Sequence, residues 1–192
     1  MSAPLLTLTD TRLTFGATPL LTGADLIVRE NERIGLVGRN GSGKSSFLKI
    51  AAGIIEADSG ERFVHPGSTL RYLPQEPDLV GYDSVIAYIR DGLAPGDDAY
   101  RADYLAEHLG LDPDADPATL SGGEARRAPL ARTLAPQPDI LLLDEPFSHL
   151  DEMNQTLACE LIRDVVEQQQ AGLILSSLGS VPALSFDDQY SL

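Results

Sequence analysis

Eight residues constrain this chain more than any other feature: Gly38-Arg39-Asn40-Gly41-Ser42-Gly43-Lys44-Ser45. They fit the pattern G-x-x-x-x-G-K-[ST], between a strand-like run, Arg33–Val37, and a stretch of helical spacing, Ser46–Ala52. A strand–loop–helix unit of this kind turns backbone N–H groups and a helix N-terminus towards the loop, a geometry suited to a phosphate anion. Glycine at positions 41 and 43 removes Cβ atoms that would block the approach. Lys44 is expected to reach the β- and γ-phosphates of a nucleotide, and the Ser45 hydroxyl to ligate Mg²⁺. The expected binding set is Gly38, Asn40, Gly41, Ser42, Gly43, Lys44, Ser45 and Ser46.

A matching half-site lies roughly a hundred residues on. Ile140-Leu141-Leu142-Leu143 is too short for an independent helix and reads as a buried parallel strand. It ends in Asp144-Glu145, as a Walker B strand does. Asp144 is expected to hold Mg²⁺ through its water shell, and Glu145 to orient and polarise an attacking water. Lys44 and Glu145 are therefore the candidate catalytic residues at this point.

Around these motifs the chain alternates. Strand-like runs cover Leu5–Leu8, Arg12–Phe15 and Leu26–Val28 before the loop, then Glu61–Val64 and Thr69–Leu73 after it. Helical spacing runs from Ser84 to Leu111, broken at Ala94-Pro95-Gly96, and again from Asp151 to Gln170. Leu173–Leu175 closes the pattern as another buried strand. The order predicts a parallel α/β core with an antiparallel edge and a helical lobe over about 84–135.

Composition narrows the partners. A formal charge of −15 on 192 residues repels nucleic-acid backbones and anionic lipid, which argues against broad nucleic-acid binding. No apolar run approaches the roughly 20 residues that cross a bilayer, so no membrane insertion is expected. The single cysteine, Cys159, excludes an internal disulfide framework and suggests a reducing compartment. With no signal-peptide pattern at the N-terminus, a cytoplasmic location is the expectation.

Leu120-Ser121-Gly122-Gly123-Glu124 selects among phosphate-loop families. Locally it is a capping box, with Ser121 as N-cap and Glu124 reaching back to the cap. Two glycines in the first turn expose N–H groups at the positive helix end, a second anion-binding surface. Between a phosphate loop and a Walker B strand, this segment resembles the LSGGQ signature of ATP-binding-cassette (ABC) proteins. That resemblance implies a P-loop NTPase fold, the ABC ATPase core with antiparallel β and helical subdomains. It implies ATP and Mg²⁺ as ligands and a dimer in which Ser121, Gly122, Gly123 and Glu124 of one domain close over ATP held by the other. It gives Phe15 the role of stacking on adenine. Gln75, in Tyr72-Leu73-Pro74-Gln75, becomes the Q-loop glutamine that contacts Mg²⁺ and the attacking water, and Ser148-His149-Leu150-Asp151 the D-loop.

Within the family, GRNGSGKS, YLPQEPDL and LSGGEARR resemble the ABC-F proteins, ATPases that act on ribosomes. The DEPFS–LD stretch and the tail resemble transporter ATPases, which pair with a membrane subunit. Two departures bear on activity. Leu178 occupies the place of the family's switch histidine, which predicts ATP binding with slow hydrolysis, since one positioned donor is worth on the order of 10²–10³ in rate. Pro129 falls inside the signature helix, where proline costs roughly 3 kcal/mol unless a kink is accommodated. Three readings stay open: an ABC-F-like ATPase, a transporter ATPase subunit, and a nucleotide-binding module with little hydrolysis.

Overall fold

The computed structural model describes residues 3–177 and 184–192. The chain opens with two long antiparallel strands, β1 (Pro4–Phe15) and β2 (Thr18–Arg29), then β3 (Arg33–Val37) and helix α1 (Lys44–Ala52). Strands β4 (Ser59–Val64) and β5 (Leu70–Leu73) follow, then α2 (Val85–Arg90), α3 (Tyr100–His108), a 3₁₀ turn (Pro117–Thr119) and α4 (Gly122–Leu134). The last third is β6 (Ile140–Asp144), α5 (Glu152–Gln169), β7 (Gly172–Ser176) and β8 (Asp188–Ser191).

Two sheets result. The parallel sheet has the order β5-β6-β7-β3-β8, and the antiparallel sheet the order β2-β1-β4. Every residue of β6 and β7 is buried, as expected of central parallel strands covered on both faces. The period of two divides their side chains between two cores. Ile140, Leu142 and Ile174 pack with α1 and the antiparallel sheet, while Leu141, Leu143, Leu173 and Leu175 pack with helices α2–α5. Helix α1, which carries the phosphate-loop lysine, is thus held between the two sheets.

Three expectations change in detail. Leu5–Leu8 and Arg12–Phe15 form one strand, because the turn-like residues between them make a β-bulge, with Asp10 at φ 46°. Gly60 of β4 lies against it, where a Cβ would come within 2.7 Å of the Thr9 and Asp10 carbonyls. β8, with the polar sequence Asp188-Gln189-Tyr190-Ser191, carried no hydrophobic signal, yet it pairs in parallel with β3. Pro129 is buried inside α4, which runs through it from Gly122 to Leu134 as one helix.

Cys159 is buried in α5, and burial pushes its thiol up to about 11, so its role is packing. Among the described residues no helix is long and apolar enough to cross a membrane.

Candidate nucleotide-binding site

β3 delivers the chain into the glycine loop, and α1 begins at its lysine. Lys44 is 6% exposed, and its ammonium folds back over the loop to donate to the carbonyls of Gly38 (2.8 Å) and Arg39 (3.2 Å). Gly41 adopts φ 80° with nothing within 4 Å of the Cβ position, so its backbone borders open space. Gly43, the N-cap of α1, adopts φ 100°, but a Cβ there would meet Leu20 at 3.0 Å. Its missing side chain makes room for β2 as well as for a ligand, a revision of the sequence reading. Gly38 is constrained too: a Cβ would lie 2.5 Å from the Ser42 hydroxyl and 2.8 Å from the Leu192 carbonyl. The Ser42 hydroxyl is buried with no hydrogen-bond partner among the described residues.

A cavity of about 350 Å³ opens on this loop. Asn40, Gly41, Gly43, Lys44, Ser45 and Ser46 form one side, Leu20 a wall, and Gln75 and Glu145 stand with them. Residues far apart in sequence are thus brought to one space by the β5–β6 and β3–β7 pairings.

Asp144 ends β6 at 1% exposure, with both carboxylate oxygens occupied. Oδ1 accepts from Ser176 Oγ at 2.7 Å and Oδ2 from the Tyr72 hydroxyl at 3.3 Å. Tyr72 is raised well above the ordinary phenol range by burial and by the adjacent Asp144 charge, so it stays a donor. Glu145 lies in the left-handed region, φ 51°. Its N–H donates to the carbonyl (3.2 Å) and hydroxyl (3.1 Å) of Ser176, and its carbonyl accepts from the Ser148 hydroxyl at 3.0 Å. Burial raises the Glu145 carboxyl above the usual range, and the neighbouring Asp144 charge adds to this, while Lys44 and Arg126 oppose it.

The capping box at the start of α4 is present in full. Ser121 N–H and hydroxyl donate to Glu124 Oε2 at 2.9 and 2.6 Å, and Glu124 N–H returns a bond to Ser121 Oγ at 3.4 Å. These bonds hold the Glu124 carboxyl below the usual range. Nothing lies within 4 Å of the Cβ positions of Gly122 and Gly123, so the helix start is sterically open. This segment does not line the 350 Å³ cavity, and neither does Phe15, which is 62% exposed at the end of β1. Leu178 lies outside the described residues.

Sequence reasoning missed Tyr72, Ser176 and Leu20, which reach the site only through tertiary packing. The Arg126 side chain, whose role the motif alone does not express, meets backbone carbonyls, among them those of Asp144 and Glu145.

A protein-family model described as "ABC transporter" matches residues 21–148, more than half of the chain. The chain belongs to the ABC transporter family. Within it, this ABC domain is 52% identical over 161 residues to the ATP-binding protein Uup of Caulobacter vibrioides, an ABC-F protein. The match covers 83% of this chain but 26% of that protein, so the chain spans about a quarter of its relative's length. It is also 39% identical over 172 residues to the aliphatic sulfonates import ATP-binding protein SsuB 1 of Nocardia farcinica, covering 88% of this chain and 69% of that one. Solved structures agree on the ABC ATPase fold. A bacterial Atm1-family ABC exporter with ATP bound superposes with a TM-score of 0.85 at 22% identity, over 98% of this chain and 37% of that one. A dimeric bacterial ABC transporter cassette gives 0.82 at 21% identity, over 91% and 88%.

Proposed function

We propose that this ABC domain binds ATP with Mg²⁺ in the cavity at the head of α1 and hydrolyses it to ADP and phosphate. The observation that carries the reading is the convergence of Lys44, Ser45, Gln75 and Glu145 on one 350 Å³ space. The residues fit the ligands. A loop with open space over Gly41, a buried Ser42 hydroxyl without a partner among the described residues and a buried lysine ammonium suit a polyphosphate. Ser45, Gln75 and Asp144 offer oxygen donors of the kind Mg²⁺ takes beside its waters. When bound, the ion supplies neutralising charge to the phosphate oxygens.

The chain's own groups supply the rest. Lys44 exchanges its carbonyl partners for the β- and γ-phosphate oxygens. Glu145 holds a water for attack at the γ-phosphorus; the water–phosphorus bond forms as the bond to the ADP oxygen breaks. Burial raises the Glu145 carboxyl, which makes it a better acceptor of a hydrogen bond or proton from that water. Phe15, exposed at the end of β1, is free to stack on adenine. A second ABC domain, a copy of this one or a tandem partner, covers the nucleotide with Ser121, Gly122, Gly123 and Glu124. Leu178 in place of the switch histidine argues for slow turnover.

The similarity to Uup favours an ABC-F-like unit that works with ribosomes. A second reading, the ATP-binding subunit of a membrane transporter, is favoured by the similarity to SsuB 1 and by a groove of about 540 Å³ between β5, the segment that follows it, and residues of α2 and α4. Binding of a fluorescent ATP analogue and phosphate release test the chemistry. Lys44→Ala is expected to weaken binding at least tenfold, and unchanged binding would move the site elsewhere. Sedimentation of the chain with ribosomes or with membranes separates the two partner readings.

A further inference from the structure

Arg126 lies in the second turn of α4, 4% exposed, yet it forms no ion pair among the described residues. A guanidinium has five N–H donors in a fixed planar fork. Here they meet five backbone carbonyls in two separate segments. Nη1 donates to Pro74 (3.0 Å) and Gln75 (2.8 Å), both in the loop after β5. Nη2 donates to Asp144 (2.7 Å) and to Glu145, and Nε to Pro146 (3.4 Å), all at the end of β6. The residues whose carbonyls are gathered include all three acidic or amide side chains expected around the metal and the water: Gln75, Asp144 and Glu145.

Glu145 makes this consequential. Its left-handed backbone is strained for a residue with a Cβ, so something must fix the peptide on its C-terminal side. Arg126 does so, while Ser176 fixes the N–H side. A buried cation satisfied by carbonyl dipoles alone is costly to desolvate. Burial accordingly lowers the Arg126 guanidinium from its ordinary value, while the charges of Asp144 and Glu145 counter the effect.

We propose that Arg126 is the positioning residue of the hydrolytic site. It ties the helix that begins with the signature Ser121–Glu124 to the Gln75 loop and to the Asp144–Glu145 strand end, so that movement of the signature helix is felt at the metal- and water-holding side chains. The proposal rests on the ATP-binding reading above. It assigns Arg126 no contact with nucleotide.

Arg126→Lys and Arg126→Gln test it, each keeping a hydrogen-bond donor but neither spanning five carbonyls. ATP affinity is measured with Mg²⁺ and with EDTA, alongside kcat and thermal melting. Metal-free affinity, which rests on the Gly38–Ser45 loop, is expected to change less than threefold. The Mg²⁺-dependent gain in affinity should shrink several-fold. kcat should fall roughly 10–100-fold, the scale of a small misplacement of catalytic groups. In a Glu145→Gln background, Arg126→Lys should lower the residual hydrolysis rate by a clearly smaller factor than in the parent, because one of the groups it positions is gone. A variant that lowers affinity equally with and without Mg²⁺ in step with its melting temperature would show a structural role alone and overturn the proposal. So would unchanged Mg²⁺ dependence and kcat. If neither variant folds, hydrogen exchange of the unmodified chain decides: the amides of 75–76 and 145–148 should open together, and independent opening overturns the proposal. An unmodified chain that binds no ATP at all would instead remove the functional reading, and this proposal with it.

Discussion

At the scale of single residues, Glu145 concentrates the tension between stability and chemistry. Its backbone sits at φ 51°, a conformation costing roughly 1–2 kcal/mol for a residue with a side chain. Three groups keep it there: Ser176, Ser148 and Arg126. Ser176 Oγ serves two neighbours at once, donating to Asp144 and accepting from the Glu145 N–H. Ser176→Ala therefore leaves a buried carboxylate oxygen without its donor and should cost about 1–3 kcal/mol in urea denaturation. A loss within experimental error would show that the Asp144 carboxylate needs no such donor. The Glu145 carboxyl itself is raised by burial. Its folded value lies above its unfolded one, so the stability it confers is complete below the unfolded value and is lost as pH rises through the folded value. NMR titration of the nucleotide-free chain should place its midpoint above that of an ordinary glutamate, and a midpoint at or below it would contradict the burial argument.

At the scale of elements, α4 shows how much was legible in the sequence. Ser121 and Glu124 announce its start, and the capping box forms as the spacing demands. Pro129 announced a local cost unless a kink is accommodated, and α4 runs through it as one helix whose buried face continues on both sides through Ala128, Leu130 and Ala131. Tertiary packing overrides the local penalty. Replacing Pro129 by alanine restores a backbone donor, a gain of about 3 kcal/mol, and loses two buried methylenes at about 0.8 kcal/mol each. Pro129→Ala should therefore be more stable by about 1 kcal/mol in urea denaturation, and a destabilised variant would mean that the ring's packing dominates. The phosphate loop, the Asp144–Glu145 strand and most core strands were readable because periodicity and fixed spacing express them directly. β8, with no apolar alternation, was not. Tyr72 was quoted within the Gln75 motif, yet its hydroxyl reaches Asp144 only through the β5–β6 pairing. Arg126 was visible as a residue, but carbonyl acceptors have no sequence signature.

At the scale of the whole molecule, the charge of −15 sets the terms on which two such domains would meet. A closed pair of copies brings −30 together, twice the charge of one, against a Debye length of about 10 Å at 0.1 M salt. ATP-driven association of two copies should thus strengthen as salt rises from low to physiological levels. Weakening over that range would instead point to attraction between local patches of opposite sign. The most direct single measurement is sedimentation velocity of the Glu145→Gln chain with and without ATP and Mg²⁺. Glu145→Gln keeps the phosphate loop and removes the group that would use the bound nucleotide. It should sediment as a monomer alone and as a dimer holding two nucleotides when both ATP and Mg²⁺ are present. A chain that stays monomeric with ATP demonstrably bound, or that dimerises equally without it, would contradict closure across the signature helices.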